Sequence, residues 1–303
     1  MSAHALPDGS RSPNGACRFE ILEGVSSLGQ RYDGFLLDQW GVLHDGANAY
    51  PGAIEALSAL RQAGKKIVIL SNSGRRGSEN ETLLARMGFA RSLYDVIVSA
   101  GDDARDAILK GEFDFEPGAT CFLLSRDGEN HLADGLGLEI TGDIGEADFI
   151  FNLSMDPPHQ SVAGWMPTLA EAAKRGLLMI CGNPDYVRVA PDGTLLEAPG
   201  AVARAYEKLG GTVAYHGKPY RRIYQTCLEI MRLPKHQVIA IGDSLDHDVT
   251  GARHCGIDSA LVAGGIHHGE FAWHAGKPQA ESCSRLFETA AISPDFVVPA
   301  FRW

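Results

Sequence analysis

Phe35-Leu36-Leu37-Asp38-Gln39-Trp40-Gly41-Val42-Leu43 is an apolar run that ends on a carboxylate, with a glycine three residues beyond it. The run reads as a buried strand, and the glycine lets the backbone fold back tightly. A strand that delivers an Asp to its own carboxyl end places that group where open α/β sheets bind ligands. Strand and helix patterns alternate around this stretch. Gly34 to Leu37 is the strand, and Pro51 to Leu60 reads as a helix, with Pro51 near its first turn, Ile54, Leu57 and Leu60 on one face, and Gly64 as its stop. Lys66 to Leu70 reads as a second buried strand, Ser78 to Met87 as a helix closing on Gly88, and Val96 to Val98 as a third strand. This βαβαβ order predicts an α/β fold with a doubly wound parallel, Rossmann-like sheet.

A second block follows. Thr120 to Leu124, Phe149 to Leu153 and Leu177 to Ile180 read as strands, with a long helix from about Ser161 to Arg175 between the last two. The first pattern is then expected to resume with Val213 to Tyr215, a helix from Tyr220 to Met231, Val238 to Ile241, a helix from about Asp246 to Cys255, Ala260 to Val262 and a late strand, Phe296 to Val298. The expected division is a tail over 1–16, a core over 17–100 and 200–303, and an inserted α/β domain over 101–199, with boundaries near Ala100 and Pro199.

With 303 residues, 45% of them apolar, the chain can bury one large core or two smaller ones. A formal charge of -11 and the lack of a basic stretch count against nucleic acid or an anionic membrane as partner. No apolar run approaches the roughly 20 residues that span a bilayer. Met1 to Ala16 is polar and rich in Gly, Pro and Ser, with no hydrophobic signal core, so a disordered tail and a cytoplasmic protein are expected. Cys17, Cys121, Cys181, Cys227, Cys255 and Cys283 are scattered, which indicates reduced packing thiols rather than a zinc site or disulfide framework.

Other strand ends also carry polar groups. Asp38 alone could equally cap the next turn. Ser71, which closes the Ile69-Leu70-Ser71-Asn72-Ser73 stretch, could hold a phosphate with the N–H groups that follow it, or could cap a helix. Ile241 leads into Gly242-Asp243-Ser244-Leu245-Asp246-His247-Asp248, where Asp243 and Asp248 could join Asp38 around a hard cation such as Mg²⁺, or could mark an acidic helix start. Lys218 sits in a His216-Gly217-Lys218-Pro219 turn just after a strand.

Asp, Ser, Lys and Asp-x-x-x-x-Asp, in that chain order and each at a predicted strand end or adjoining loop, resemble the four motifs of the haloacid-dehalogenase superfamily. The resemblance covers Gly34 to Val262. The insertion between Ser71 and Lys218 looks like the large α/β cap of class IIA, the subfamily containing nucleotide-monophosphate, phosphoglycolate and pyridoxal-phosphate phosphatases. By carry-over, Asp38 is the nucleophile that forms an aspartyl-phosphate. Asp38, the Trp40 backbone carbonyl, Asp243 and Asp248 hold Mg²⁺. Lys218 neutralises phosphate charge, and Ser71 and Asn72 bind the transferring oxygens. A small phosphorylated metabolite is the implied substrate, and a homodimer through the cap the implied assembly. Cys181-Gly182-Asn183-Pro184-Asp185 is similar to a turn near the end of such caps and also makes sense as plain turn chemistry.

The chain departs from the family pattern at Trp40, where most of its phosphatases carry a second Asp as general acid and base. Indole cannot exchange a proton usefully near neutral pH. His44 and Asp45 are the nearest candidates to substitute, although Asp45-Gly46 is also a strong turn pair. Three functions are compatible with this sequence: a Mg²⁺-dependent phosphatase, a metal-independent dehalogenase, and a non-catalytic binder of a phosphorylated ligand. Retention of Asp243, Asp248 and the phosphatase-type cap favours the first. His267-His268 in a Gly-bounded loop reads as an exposed pair rather than a metal site.

Overall fold

Short strands that are apolar on both faces must be covered on both faces, and parallel sheets are built from such strands. The computed structural model describes residues 19–126, 129–190 and 193–303, and the expected tail and Cys17 lie outside them. The first segment contains β1 (Glu20–Ile21), α1 (Ser26–Arg31), β2 (Gly34–Leu37), α2 (Ala53–Gln62), β3 (Lys66–Ser71), α3 (Gly77–Arg86), β4 (Val96–Ser99) and α4 (Ala100–Leu109). The second holds β5 (Thr120–Leu124), β6 (Glu139–Thr141), β7 (Phe149–Asn152), α5 (Val162–Arg175), β8 (Leu178–Cys181), β9 (Val187–Val189), β10 (Leu195–Glu197), α6 (Pro199–Lys208) and β11 (Thr212–Tyr215). The third has α7 (Arg221–Met231), β12 (Val238–Gly242), α8 (Thr250–Cys255), β13 (Asp258–Val262), a small hairpin of β14 (Trp273–His274) and β15 (Lys277–Pro278), α9 (Ala280–Ala290) and β16 (Phe296–Val298).

Seven parallel strands form the core sheet in the order β1-β16-β13-β12-β2-β3-β4. From β2 the chain winds outward through β3 and β4, and on its return it winds the other way from β12 through β13 and β16. The strand order therefore reverses between β2 and β12, the place where doubly wound sheets open a crevice. Leu37 pairs with Ile241, so the residues that follow, Asp38 and Gly242-Asp243, leave adjacent strands at one level. Leu37, Ile69 and Ile241 pack on one face with α2 residues, and Leu36, Leu70 and Ala240 pack on the other with Ile223, Tyr224 and Cys227 of α7.

The cap sheet is also all parallel, in the order β11-β8-β7-β5-β6. Here the structure corrects the expected boundary at Pro199. β11, expected to resume the core, pairs with β8 at the edge of the cap sheet, and α6 packs Val202, Ala203 and Tyr206 against Leu169, Ala172 and Met179 of the cap. The return to the core falls after Tyr215. Both sheets are built by the same βα alternation, and which sheet a strand joins is decided by pairing partners distant in sequence. At the other boundary, α4 faces both sheets: its cap Ser99 ends a core strand, while Ala104 packs with Cys121, Phe149 and Phe151.

Smaller differences are local. The expected helix at Asp246 begins as a π turn over Leu245–Val249 before α8. α9, unassigned from sequence, buries Cys283 and Phe287, four residues apart on one face. The five described cysteines are free and buried. Among the described residues, no helix is long and apolar enough to cross a membrane.

Candidate active site

Asp38, Lys218, Asp243 and Asp248 converge at the strand-order reversal, and all four are buried. Asp38 follows β2 directly and its N–H donates to the Ile241 carbonyl at 2.9 Å, which ties the turn to β12. Gly41, at φ 81°, lets this turn pass close beside its neighbour: a Cβ there would fall 1.9 Å from Asp243 Oδ2. The Ile266 N–H donates to Asp243 Oδ2 at 2.9 Å, and the Ser244 N–H donates to Asp248 Oδ2 at 3.2 Å. Lys218 Nζ donates to Asp38 Oδ1 at 2.5 Å and to Asp248 Oδ1 at 2.8 Å. One oxygen from each of the three carboxylates lies within 4.8 Å of the others.

This is an excess of buried negative charge: three carboxylates share one ammonium. Burial pushes the Asp38 carboxyl up to about 7, with Lys218 opposing the rise and Asp248 adding to it. Burial also raises Asp243 well above the usual carboxylate range, and Asp38 and Asp248 raise it further. Burial would lower Lys218, yet Asp248 and Asp38 hold its ammonium above the ordinary lysine range. A divalent cation with hard-oxygen preferences would relieve this imbalance, so the donor set fits Mg²⁺.

Ser71 Oγ accepts from the Ser73 N–H at 3.2 Å, and its own proton has no partner among the described residues. Asn72 is more committed. Its Oδ1 accepts from the Lys218 N–H at 2.7 Å, and its Nδ2 donates to Asp185 Oδ1 at 2.7 Å and to the Lys218 carbonyl at 3.3 Å. The Asn72 side chain thus braces Lys218 instead of offering a free amide to a phosphate. Asp185, from the Asn183-Pro184-Asp185 turn of the cap, reaches this floor and also meets His247 Nδ1 at 3.2 Å. The Asp185 N–H donates to Asn183 Oδ1 at 3.3 Å, as the turn reading expects, and the Asp185 side chain adds these two contacts.

Trp40 lines the cavity above the carboxylates, which encloses about 250 Å³. Its ring lies against Gly46, where an added Cβ would fall 2.1 Å from Trp40 Cη2, and edge-on to His44 at 5.6 Å between centroids. Neither proposed substitute acid reaches the cavity. Asp45 Oδ1 accepts from the Ala47 and Asn48 N–H groups at 2.8 and 2.7 Å, closing an exposed turn. His44 is fully buried; its Nδ1 accepts from the Gly46 N–H at 2.9 Å, its Nε2 has no hydrogen-bond partner among the described residues, and burial pushes its pKa down to about 4. Both side chains build the turn that seats Trp40. His267, expected to be exposed, lines the cavity rim, held by Glu270 at 2.6 Å, whereas His268 packs on Trp273.

Sequence reasoning missed the arginines. Arg75, Arg126 and Arg188 line the cap side of the cavity. Arg75 follows the Ser71 strand end closely, a signal that was readable. Arg126 and Arg188 carry no sequence pattern that marks them.

Models of haloacid dehalogenase-like hydrolases match residues 35–139 and 118–256, and a HAD-hydrolase-like model matches 215–302. Chronophin of Rattus norvegicus is 30% identical over 259 residues, covering 82% of each chain. The sugar-phosphatase AraL of Bacillus subtilis is 30% identical, covering 77% of this chain and 83% of its own. A haloacid dehalogenase-like hydrolase from Brucella suis superposes with a TM-score of 0.77 at 28% identity, covering 92% of this chain and 99% of that one. With the carboxylate–lysine floor at the crevice of a doubly wound sheet, this chain belongs to the haloacid dehalogenase-like hydrolases.

Proposed function

We propose that the chain is a Mg²⁺-dependent phosphatase of a small phosphorylated metabolite. The observation that carries this reading is Lys218 held between Asp38 and Asp248, with Asp243 beside them, on the floor of the cavity. Asp38, Asp243, Asp248 and the Trp40 carbonyl would hold the cation, which supplies charge neutralisation for the phosphoryl oxygens. An Asp38 oxygen attacks phosphorus, the ester P–O bond breaks, and an aspartyl-phosphate forms. Water then attacks the phosphorus of the acyl phosphate, the bond from the Asp38 oxygen to phosphorus breaks, and inorganic phosphate leaves with the protons of the water while Asp38 returns as a carboxylate. Lys218 balances charge on Asp38 and on the incoming phosphate, and the Ser71 hydroxyl is available to donate to a phosphoryl oxygen. The names of the relatives, one a sugar-phosphatase, support phosphate-ester chemistry. Trp40 supplies no proton, so the leaving alkoxide takes one from water or from the substrate itself.

A panel of phosphate esters assayed with and without Mg²⁺ tests the proposal. Mg²⁺-dependent phosphate release is expected. Metal-free halide release from haloacids would replace it with a dehalogenase, and ligand binding without turnover would make the chain a sensor.

A further inference from the structure

The cap sheet has its own reversal of strand order. From β5 the chain goes one way to β6 and the other way through β7, β8 and β11. By the same rule that places the core site, a ligand group should meet the cap outside the carboxyl ends of β5 and β7. Arg126 lies two residues past β5, Ser154 two residues past β7, and both line the cavity that the core site occupies. Two crevices therefore face one another, the lower rich in carboxylates and the upper in guanidinium groups.

Of the three arginines, Arg75 alone is ion-paired among the described residues, to Glu129. Glu129 is already engaged twice, by Arg75 Nη2 at 2.7 Å and by the Ser154 hydroxyl at 2.5 Å. Arg126 donates Nε to the Met155 carbonyl at 3.1 Å, and its two Nη groups have no hydrogen-bond partner among the described residues. The Arg188 side chain, on the β9 strand, has neither an ion pair nor a hydrogen bond among the described residues. The three arginines are close enough to feel one another: burial lowers the Arg126 pKa, and Arg75 and Arg188 lower it further, against the pull of Glu129 and the exposed Asp156. Glu197, paired with Val187 in the hairpin, also lines the cavity, but it is exposed and accepts from the Val162 N–H at 2.8 Å. Two guanidinium groups that line a cavity and have no ion pair among the described residues suit a planar or tetrahedral anion.

The geometry points to a second anion site at the cap crevice, in which Arg126 and Arg188 hold a carboxylate or second phosphate carried by the same substrate whose phosphate ester sits on the core floor. This inference rests on the phosphatase reading and narrows its substrate class to phosphorylated acids and bisphosphates.

The test uses matched pairs differing in the second anion: phosphoglycolate against ethyl phosphate, 3-phosphoglycerate against glycerol 3-phosphate, and fructose 1,6-bisphosphate against fructose 6-phosphate. The full-length protein with Mg²⁺ is assayed for kcat/KM, and Asp38→Asn is titrated by calorimetry for affinity without turnover. At least one pair should show a tenfold or greater preference for the doubly anionic member in both measurements. Arg126→Gln and Arg188→Gln should each shrink that ratio at least fivefold, a change in preference that a general loss of folding cannot produce. Flat ratios across all three pairs, with esters still hydrolysed, overturn the second site and leave the phosphatase standing. A preference in binding without any hydrolysis removes the phosphatase reading and leaves the second site. Absence of both overturns both.

Discussion

The core sheet and the cap sheet are built the same way: both are all parallel, both reverse strand order once, and both point the carboxyl ends at that reversal into one cavity. They differ in what stands there. At the core reversal, residues one past each strand end are acids, packed tightly enough that Gly41 has no room for a side chain. At the cap reversal the cavity-lining polar groups come two residues past the strands, a long arginine after β5 and a short serine after β7. Topology fixes where a ligand can be met, and the side chains at that place decide which part of it is held. In the proposed function the core would hold the reacting phosphate and the cap the remainder of the substrate.

Substitutions at the two ends of the cavity should therefore differ in kind. The largest effect belongs to Asp38→Asn. It keeps the shape and removes the nucleophilic charge, so kcat should fall by about 10³-fold or more with the unfolding transition still cooperative. A residual rate within tenfold of wild type would remove the core floor from the chemistry. Next in size is Trp40→Asp, which puts a proton donor where the indole stands. In the wild type, aryl phosphates should be hydrolysed far better than alkyl phosphates, because alkoxide departure lacks the roughly 10²- to 10⁴-fold assistance of a general acid. The variant should narrow that gap on alkyl esters. Loss of a large aromatic can cost about 3–5 kcal/mol, so thermal unfolding must be compared first. A wild-type rate insensitive to leaving-group pKa would show that another acid already operates.

The smallest effect is on stability alone. His44 is buried neutral, with a folded pKa near 4 against an ordinary 6.5. The unfolded chain thus binds a proton that the folded chain refuses between those values. This contribution is fully present above pH 6.5 and is lost as pH falls from 6.5 to 4, a difference on the order of 3 kcal/mol. His44→Asn keeps an acceptor for the Gly46 N–H and cannot be protonated. Its stability should fall less steeply than wild type over that window, measured by denaturant unfolding at several pH values. Parallel curves would mean that the imidazole is not held neutral.

The core end was legible because its residues lie directly after unbroken apolar runs: Leu37 then Asp38, Leu70 then Ser71, Ile241 and Gly242 then Asp243. Such runs are local, and the strand-end rule turns them into a site. The place of β11 was not legible, since Thr212–Tyr215 has the composition of a core strand and its partner, β8, is more than thirty residues away. α6 begins with Pro199 in its first turn, a readable start, but Gly200 beside it looks like a break. The Asn72 side-chain amide is spent on the Lys218 backbone and Asp185, contacts that no local pattern announces, which leaves its backbone N–H for the expected phosphate contact. Arg126 and Arg188 sit in connections and a short hairpin, where no period in the sequence reports direction.

The return of the chain from β11 runs through His216 and Gly217 into Lys218. Asp103 of α4, the outgoing connection, binds His216 Nδ1 at 3.0 Å and the Gly217 N–H at 3.4 Å, and it also takes Arg222 Nε at 2.9 Å. Both connections between the sheets are thus stitched together one residue from the lysine that balances Asp38. Any swing of the cap as a lever would turn about this joint, so opening the cavity and placing the ammonium beside Asp38 share one mechanical element. For anyone redesigning the molecule, the cap cannot be exchanged as a free module: a graft must carry Asp103 and His216 with it, or Lys218 loses its footing.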